Sequence, residues 1–476
     1  MDTEIINYAK SKKLIITEAA LTLLDSNNYK QIIDKLAEQE KIFVSPEDIK
    51  KEMITTPDNK PYIKHFRIME EYSLKNKNYS QGTVEDFHKL FLDKYNTLSG
   101  IIKQRIDFEH TTIADAKKLT KNKQVDIIGM VYEKKYSKNG NLILTVDDPT
   151  GKINLVILKN QKNFEEYNSI LLDNVLGFKC TILSQDMFIV NEALYPDMPT
   201  TKIKSDLKDD IYLAAIADTH VGSKLFLEKE FIKFIDWING TDGDTEIVKN
   251  IKYLIIAGDL VDGIGVYPSQ YEELAIQDIF KQYELFEEYI LQIPKDIEIF
   301  IIPGNHDAVR LSDPQPPIPE MLLPRLSKQK NIHLLGSPAW VDIEGYKTLI
   351  YHGAALHGIY STIKDIPMSK PDLAIKEILK RRDLMPQFGS KQTFIPMEKN
   401  LLTINEVPNI YIGGDVHHHA YGIYKECHII NTSCWQSITK YQIEQGHMPT
   451  YSKIMLFNLK TQKMIQKDFH LETEEI

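Results

Sequence analysis

The chain has 476 residues, 42% of them hydrophobic and 26% charged, with a formal net charge of −10. That length exceeds one core, so two or three domains are expected, and the charge excludes a basic coat over the whole surface while leaving room for local basic faces. No apolar run reaches the ~20 residues of a membrane span and the first residues lack an apolar signal segment, so neither a membrane nor an export route is expected.

Residues 1–55 are predicted to form a small helical domain. TEAALTLLDS and YKQIIDKLAEQ carry apolar residues at helical spacing, and SPED (45–48) has the form of a helix start with Ser45 as cap and Pro46 in the first turn. A docking domain and a plain helical appendage fit these letters equally. Residues 56–85 are polar and without period, as a linker would be. A connecting helix is expected within 86–111, with Phe87, Leu90, Phe91 and Tyr95 on one side. Cys180, Cys427 and Cys434 have no CxxC spacing, which fits a reducing, cytoplasmic interior.

Between 112 and 204 the pattern turns to strands: QVDIIGMVYEKKYS, NLILTVDD, KINLVIL, VLGFKCTILSQ and MFIVNEALY. One helix, in NFEEYNSIL, precedes the fourth. Five short strands so arranged predict an OB-type β-barrel. Ten lysines against five acids between 111 and 163 could follow a phosphate backbone. Few aromatics stand where bases could stack, which favours a solvated lysine face instead.

From 205 to 476 apolar strands alternate with helical stretches, an α/β pattern. Five of the apolar runs stop at potential metal ligands: IYLAAIA at Asp218 and His220, YLIIAG at Asp259, IFIIPG at Asn305, His306 and Asp307, TLIY at His352, and NIYIGG at Asp415 and His417. Ligands at the carboxyl ends of strands gather in one crevice. A lone aspartate there is more often a turn cap, and a lone histidine more often an ordinary polar residue; five in succession are not explained that way. Carboxylates, imidazoles and one amide without thiolate suit manganese, iron or zinc better than calcium. A bridging carboxylate can hold two divalent cations about 3.5–4 Å apart for phosphate-ester hydrolysis. Asp259, central in the order, is the natural bridge.

GGDVHHHA (413–420) offers three candidates for two places. In an extended chain Asp415, His417 and His419 share one face and His418 points away.

Together D-T-H (218–220), GDLVD (258–262), GNHD (304–307), His352-Gly353 and the Gly414–His417 segment resemble the calcineurin-like metallophosphoesterase superfamily, an α/β fold with a β-sandwich flanked by helices. ADTHVGSK, PGNHDAVRLSDPQPPIP, LIYHG, EILKRRDLMPQFG and NTSCWQSITKYQ narrow the resemblance to the small subunit of the archaeal family D DNA polymerase, over roughly 90–476. The resemblance implies a proofreading 3′→5′ exonuclease working on single-stranded or mispaired DNA 3′ ends beside a large catalytic subunit, associated with the nucleoid. The sliding clamp is a further candidate partner. It also implies two metal ions, with Mn2+ preferred and Mg2+, Fe2+ or Zn2+ as alternatives. One is assigned to Asp218, His220, Asp259 and His417, the other to Asp259, Asn305, His352 and Asp415. His306 becomes the proton donor or charge stabiliser, and Asp307 a support for it or for its loop. Arg310 is a candidate phosphate contact or, equally, a member of a surface ion pair. KEILKRR (376–382) is a candidate DNA-backbone contact or a solvated basic face.

The family pattern G-H-x-H meets aspartate at 415. Either Asp415 and His417 are the ligands, the preferred register, or His417 and His419 are and Asp415 orients an imidazole. Two other functions compete: an inactive scaffold subunit, which a decayed site would leave, and another metal-dependent phosphodiesterase or repair nuclease.

Overall fold

A computed structural model describes residues 2–24, 29–39, 41–54, 62–74, 80–389, 392–444 and 446–471. At the start, helices Asp2–Ser11, Glu18–Leu21, Tyr29–Glu38 and Pro46–Ile54 surround a parallel pair of two-residue strands, β1 (Ile15–Ile16) and β2 (Phe43–Val44). Ile5, Ile32, Ile33, Leu36 and Ile49 give this part its own core. SPED behaves as a reciprocal cap: the Asp48 N–H donates to the Ser45 hydroxyl at 3.3 Å, and the Ser45 N–H donates to the Asp48 carboxylate at 2.9 Å.

Part of the expected linker is built into the fold. It supplies β3 (Phe66–Ile68), which becomes the edge of a large sheet. Residues 56–61 and 75–79 of that stretch lie outside the described residues. The helix Val84–Lys103 follows, capped by Thr83 and Asp86, and buries Leu90, Tyr95, Leu98 and Ile102.

Strands β4 (Gln124–Tyr136), β5 (Leu142–Asp148), β6 (Gly151–Ile157), β7 (Val175–Ser184) and β8 (Met187–Leu194) close into a barrel in the order β4-β5-β6-β8-β7. Alternation fills it: Leu142, Leu144 and Val146 of β5 enter the barrel core. The helix expected across NFEEYNSIL covers only Phe164–Tyr167. It stops because Ser169 bonds back to the Glu166 carbonyl at 2.8 Å, a local bond that competes with the helix ladder.

The remainder forms two six-stranded mixed sheets. Their strands are β9 (Tyr212–Ile216), β10 (Ile251–Ala257), β11 (Glu298–Ile302), β12 (Ile332–Leu334), β13 (Ala339–Ile343), β14 (Tyr346–Ile350), β15 (Ile410–Gly413), β16 (Ala420–Tyr424), β17 (Cys427–Asn431), β18 (Lys453–Asn458) and β19 (Met464–Asp468). One sheet runs β12-β11-β10-β9-β18-β19, the other β16-β17-β15-β14-β13-β3. Continuous apolar runs become strands covered on both faces. Along β10, Leu254 and Ile256 meet the helices Glu228–Ile238 and Ile279–Ile290, while Tyr253, Ile255 and Ala257 face the other sheet. The helices Leu356–Thr362 and Pro371–Arg381 cover the outer face of the second sheet against Leu349, Tyr411 and Ile429. The layers are therefore helix, sheet, sheet, helix.

The two arginines that end KEILKRR do not lie on a solvated face, whereas Lys376 is exposed. Arg381 and Arg382 are 2% and 3% exposed. Arg381 donates to the Asn174 side chain at 3.1 Å and to the Ser169 carbonyl at 2.5 Å, both on the barrel part of the chain. Arg382 donates to the carbonyls of Ile404 and Asn405 at 2.8 and 2.5 Å. Among the described residues no helix is long and apolar enough to cross a membrane.

Candidate metal centre

Strands β9, β10 and β11 run parallel, as do β14 and β15. Their carboxyl ends release the chain at one end of the sandwich, where the five ligand-bearing turns meet. The His352 Nδ1 lies 2.7 Å from the Ala257 carbonyl and so joins the two sheets there.

The turns are sharp. Asp218, His220, Asp259, Asp415 and His417 all have positive φ, between 48° and 68°. For residues with a side chain this left-handed region is uncommon and costs free energy, and it clusters at functional sites. It also corrects the expectation for GGDVHHHA. β15 ends at Gly413, and the Val416 N–H turns back to the Gly414 carbonyl at 2.9 Å, so alternation stops before Asp415.

What meets in the pocket is a set of carboxylates and imidazoles. Asp218, His220 and His417 have ligand atoms within 4.8 Å of one another; so do Asp218, Asp259 and His352, and so do His220, Asp259 and His306. The Nε2 atoms of His220 and His417 are 3.1 Å apart. Asp259 Oδ2 stands between two imidazoles, 3.3 Å from His352 Nε2 and 3.8 Å from His220 Nε2. Asn305 Oδ1 is 3.0 Å from His352 Nε2. Asp415 Oδ1 lies 3.8 Å from the same nitrogen, and Asp415 Oδ2 is buried with no hydrogen-bond donor aligned on it.

His419 joins none of these groups. Its N–H donates to Thr450 Oγ1 at 2.7 Å, and the charges that act on its ring are Lys453 and Asp468. The register that places His419 in the pocket is thus not the one the chain adopts. His418 packs on His447 at a ring separation of 4.5 Å.

Three histidines have Nδ1 against an oxygen: His220 on Asp262 Oδ1 at 3.2 Å, His352 on Ala257, and His306 on the Asp262 carbonyl at 2.8 Å. A ligating imidazole ordinarily gives its other nitrogen to such an acceptor, which fixes ring orientation. The fourth, His417, differs: the Gln442 amide nitrogen, a donor, lies 3.0 Å from Nδ1, so this ring lacks such an acceptor. The donor set therefore fits divalent cations: anionic oxygens and oriented nitrogens converge in a buried volume, without sulfur.

Electrostatics agree. Burial, opposed by His352 and reinforced by Asp259 and Asp415, holds the Asp218 carboxyl well above its usual range. Burial also works against Asp259, but His352, His306 and His220 outweigh it and keep its carboxyl below the usual range. Burial and His220 push the His417 imidazole well below its ordinary value. Crowded carboxylates beside a neutral imidazole are relieved by a bound cation.

Asp307 braces its loop, the second of the two roles expected of it, and Arg310 braces the stretch that follows. Asp307 does not touch His306; it accepts from the N–H groups of Gly304 and Leu260 and from the Tyr283 hydroxyl at 2.8, 3.3 and 3.0 Å. Burial and Asp259 push its carboxyl up to about 7 despite those donors. Arg310 donates to the Pro314 carbonyl through Nε at 3.0 Å and through NH2 at 2.5 Å, so its guanidinium braces the loop after the Asn305–Asp307 turn. Asp262, Gln442 and His357, whose Nε2 is 3.0 Å from Asp415 Oδ2, had no role in the sequence reading. Asp262 carried one signal, as the last letter of GDLVD, and Gln442 another, as the last letter of NTSCWQSITKYQ; His357 carried none.

The chain matches the family model for the B subunits of DNA polymerases alpha and epsilon over residues 216–422. It is 34% identical to the DNA polymerase II small subunit of Thermoplasma acidophilum over 471 residues, covering 98% of this chain and 93% of that one. It is 38% identical to the Archaeoglobus fulgidus DNA polymerase II small subunit over 384 residues, 80% of this chain and 76% of that one. Among solved structures, one described as a novel archaeal phosphodiesterase aligns at 15% identity and a TM-score of 0.27, covering 54% of this chain and 99% of that one.

Proposed function

From the premise that the chain belongs to the DNA polymerase II small-subunit family, and is therefore one subunit of a two-subunit DNA polymerase, we propose that it is the 3′→5′ proofreading exonuclease of that enzyme. The observation that carries the proposal is Asp259 Oδ2, set between His220 Nε2 and His352 Nε2 where one oxygen can serve two cations. The fold in this reading is calcineurin-like. The strand order β4-β5-β6-β8-β7, with a helix before β7, supports an OB-type barrel.

Asp218, His220, His417 and Asp259 would hold one divalent cation, and Asp259, Asn305, His352 and Asp415 the other, Mn2+ being preferred. When bound, such a pair supplies a water nucleophile near neutral pH and neutralises charge on the phosphodiester. The protein residues do the rest. Asp262 orients His220 through Nδ1 and, through its carbonyl, His306 through Nδ1. With Nδ1 so committed, Nε2 of half-buried His306 is the atom that delivers a proton to the departing 3′ oxygen. A frayed or mispaired 3′ end reaches a recessed pocket at less cost than a paired one, which gives the subunit its preference.

The test is exonuclease activity of the complex with the large subunit on DNA with a mispaired 3′ end. Wild type releases nucleotides when Mn2+ is added, and His352→Ala loses at least about 100-fold, the upper end of what loss of a supporting metal partner costs. One observation favours a second reading: Asp415 occupies a position where the family pattern has histidine. In that reading the site has decayed and the chain is a scaffold for the large subunit. Absence of nuclease activity with Mn2+, Mg2+, Fe2+ and Zn2+ alike would establish it. The family relationship argues against a separate phosphodiesterase or repair nuclease.

A further inference from the structure

We propose that His357 is the positioning residue that lets an aspartate work at position 415. This rests on the two-cation reading and deepens it. Two features hold the main chain of Asp415. Its N–H donates to both oxygens of Asp218 at 3.1 Å, and its backbone sits at φ 68°, so the main chain is fixed. What remains is rotation of the carboxylate. Oδ1 faces inward, 3.8 Å from His352 Nε2, and Oδ2 faces His357 Nε2 at 3.0 Å. A carboxylate has two equivalent oxygens where an imidazole presents one nitrogen per edge, so an aspartate at this place needs something to decide which oxygen enters the pocket. His357 stands beside the outer oxygen at ion-pair distance, without an aligned hydrogen bond, and leaves the inner one to the cation.

The arrangement is economical in chain. His357 is five residues beyond His352, in the helix Leu356–Thr362 that begins as the strand-end turn closes, where the Leu356 N–H donates to the Gly353 carbonyl at 2.8 Å. One turn thus supplies an imidazole to the pocket and the group that aims its neighbour. The His357 side chain is 35% exposed, whereas that of Asp415 is 6% exposed. Removing His357 opens no sealed cavity, so its effect belongs to the orientation of Asp415 and not to folding. Outer partners of metal ligands are worth about 10–100-fold in affinity.

The experiment is calorimetric titration of Mn2+ into the two-subunit complex, with thermal melting in the presence and absence of Mn2+. Four variants are compared with wild type: His357→Ala, His357→Gln, Asp415→Ala and the double His357→Ala/Asp415→Ala. The inference expects His357→Ala to weaken one of the two Mn2+ sites about 10–100-fold. Its melting temperature without metal stays at the wild-type value. His357→Gln, whose amide nitrogen reaches the same place, recovers most of the affinity, and the double variant binds no worse than Asp415→Ala. The inference is overturned if His357→Ala binds Mn2+ as wild type does, if His357→Gln is no better than His357→Ala, or if the two losses multiply in the double variant. A wild-type complex that takes up no Mn2+ brings down the two-cation reading itself, and this inference with it.

Discussion

A single methyl group at Gly304 would collide with the centre of the pocket. A Cβ there would stand 2.1 Å from Asp259 Oδ1 and 2.7 Å from His352 Cε1. No flexible side chain can move aside, because Asp259 Oδ1 also accepts the His306 N–H at 2.8 Å. Gly304→Ala should cost about 1–3 kcal/mol, as overpacking does, and turn Asp259 away from its two imidazoles. Thermal melting reads the first effect. Loss of the proposed exonuclease activity, with the complex still assembled on a sizing column, reads the second. Glycine beside a ligand was visible in the sequence, as were Asp218, His220, Asp259, Asn305 and His352, because each follows an apolar run that could only be a strand. Asp262, Gln442 and His357 were not visible as partners. Each acts on a residue from another element, and spacing along the chain holds no trace of a pair made across a fold. Asp415 was misjudged in its geometry for a different reason: alternation holds only while a strand lasts, and positive φ had already ended it.

Helices in this chain are held by a few polar anchors that can be tested one at a time. The helix Val84–Lys103 docks through Lys94, whose ammonium is 2.6 Å from the Asp383 carboxylate, both side chains under 5% exposed. Burial raises the Asp383 carboxyl even with Lys94 beside it, so the pair is bought at a desolvation cost. Lys94→Met strands a buried aspartate and should destabilise the protein by about 3–5 kcal/mol in denaturant titration, while Lys94→Met with Asp383→Leu recovers most of that loss. The apolar pattern of this helix was legible in sequence; a buried lysine within it was not, since lysine by itself reads as solvent-facing. At the Pro46–Ile54 helix the anchor is Asp48. Lys41 first, and then the Ser45 N–H, lower its carboxyl to about 2. A carboxyl lowered on folding stabilises above its unfolded value of about 3.9, and that contribution is lost as pH falls through about 2. The protection factor for amide exchange across residues 46–54 should therefore fall between about pH 4 and pH 2 in wild type. In Asp48→Asn it should already be lower at neutral pH and lack that acid step.

At the scale of the whole molecule, barrel and sandwich are joined by residues that the sequence presented as a surface. The run of cations in KEILKRR invited a nucleic-acid reading because local charge is what a sequence displays and burial is what it hides. In the structure Arg381 reaches the barrel at Asn174 and Ser169 and lies over the Tyr195 ring, 5.1 Å from its centroid. Lys380, 4.2 Å from the same centroid, pairs with Glu166 at 2.8 Å. The helical start, the barrel strands and the α/β alternation were legible because each has its own hydrophobic period, whereas the two-sheet sandwich was implied only by the resemblance. The contacts between them were not, since they depend on which polar ends meet after each part has folded. The two roles for Arg381 make opposite demands on one measurement. A phosphate contact, when removed, lowers the slope of log K against log salt concentration by about 1 and leaves stability nearly untouched. A buried tie, when removed, leaves the slope alone and costs stability, because Asn174 and the Ser169 carbonyl lose a charged donor inside the protein. Arg381→Ala in the two-subunit complex should therefore bind single-stranded DNA with the wild-type salt slope. It should also melt at a lower temperature and exchange amide hydrogens faster in residues 169–174, and a slope reduced by one with an unchanged melting temperature would return the basic run to the DNA.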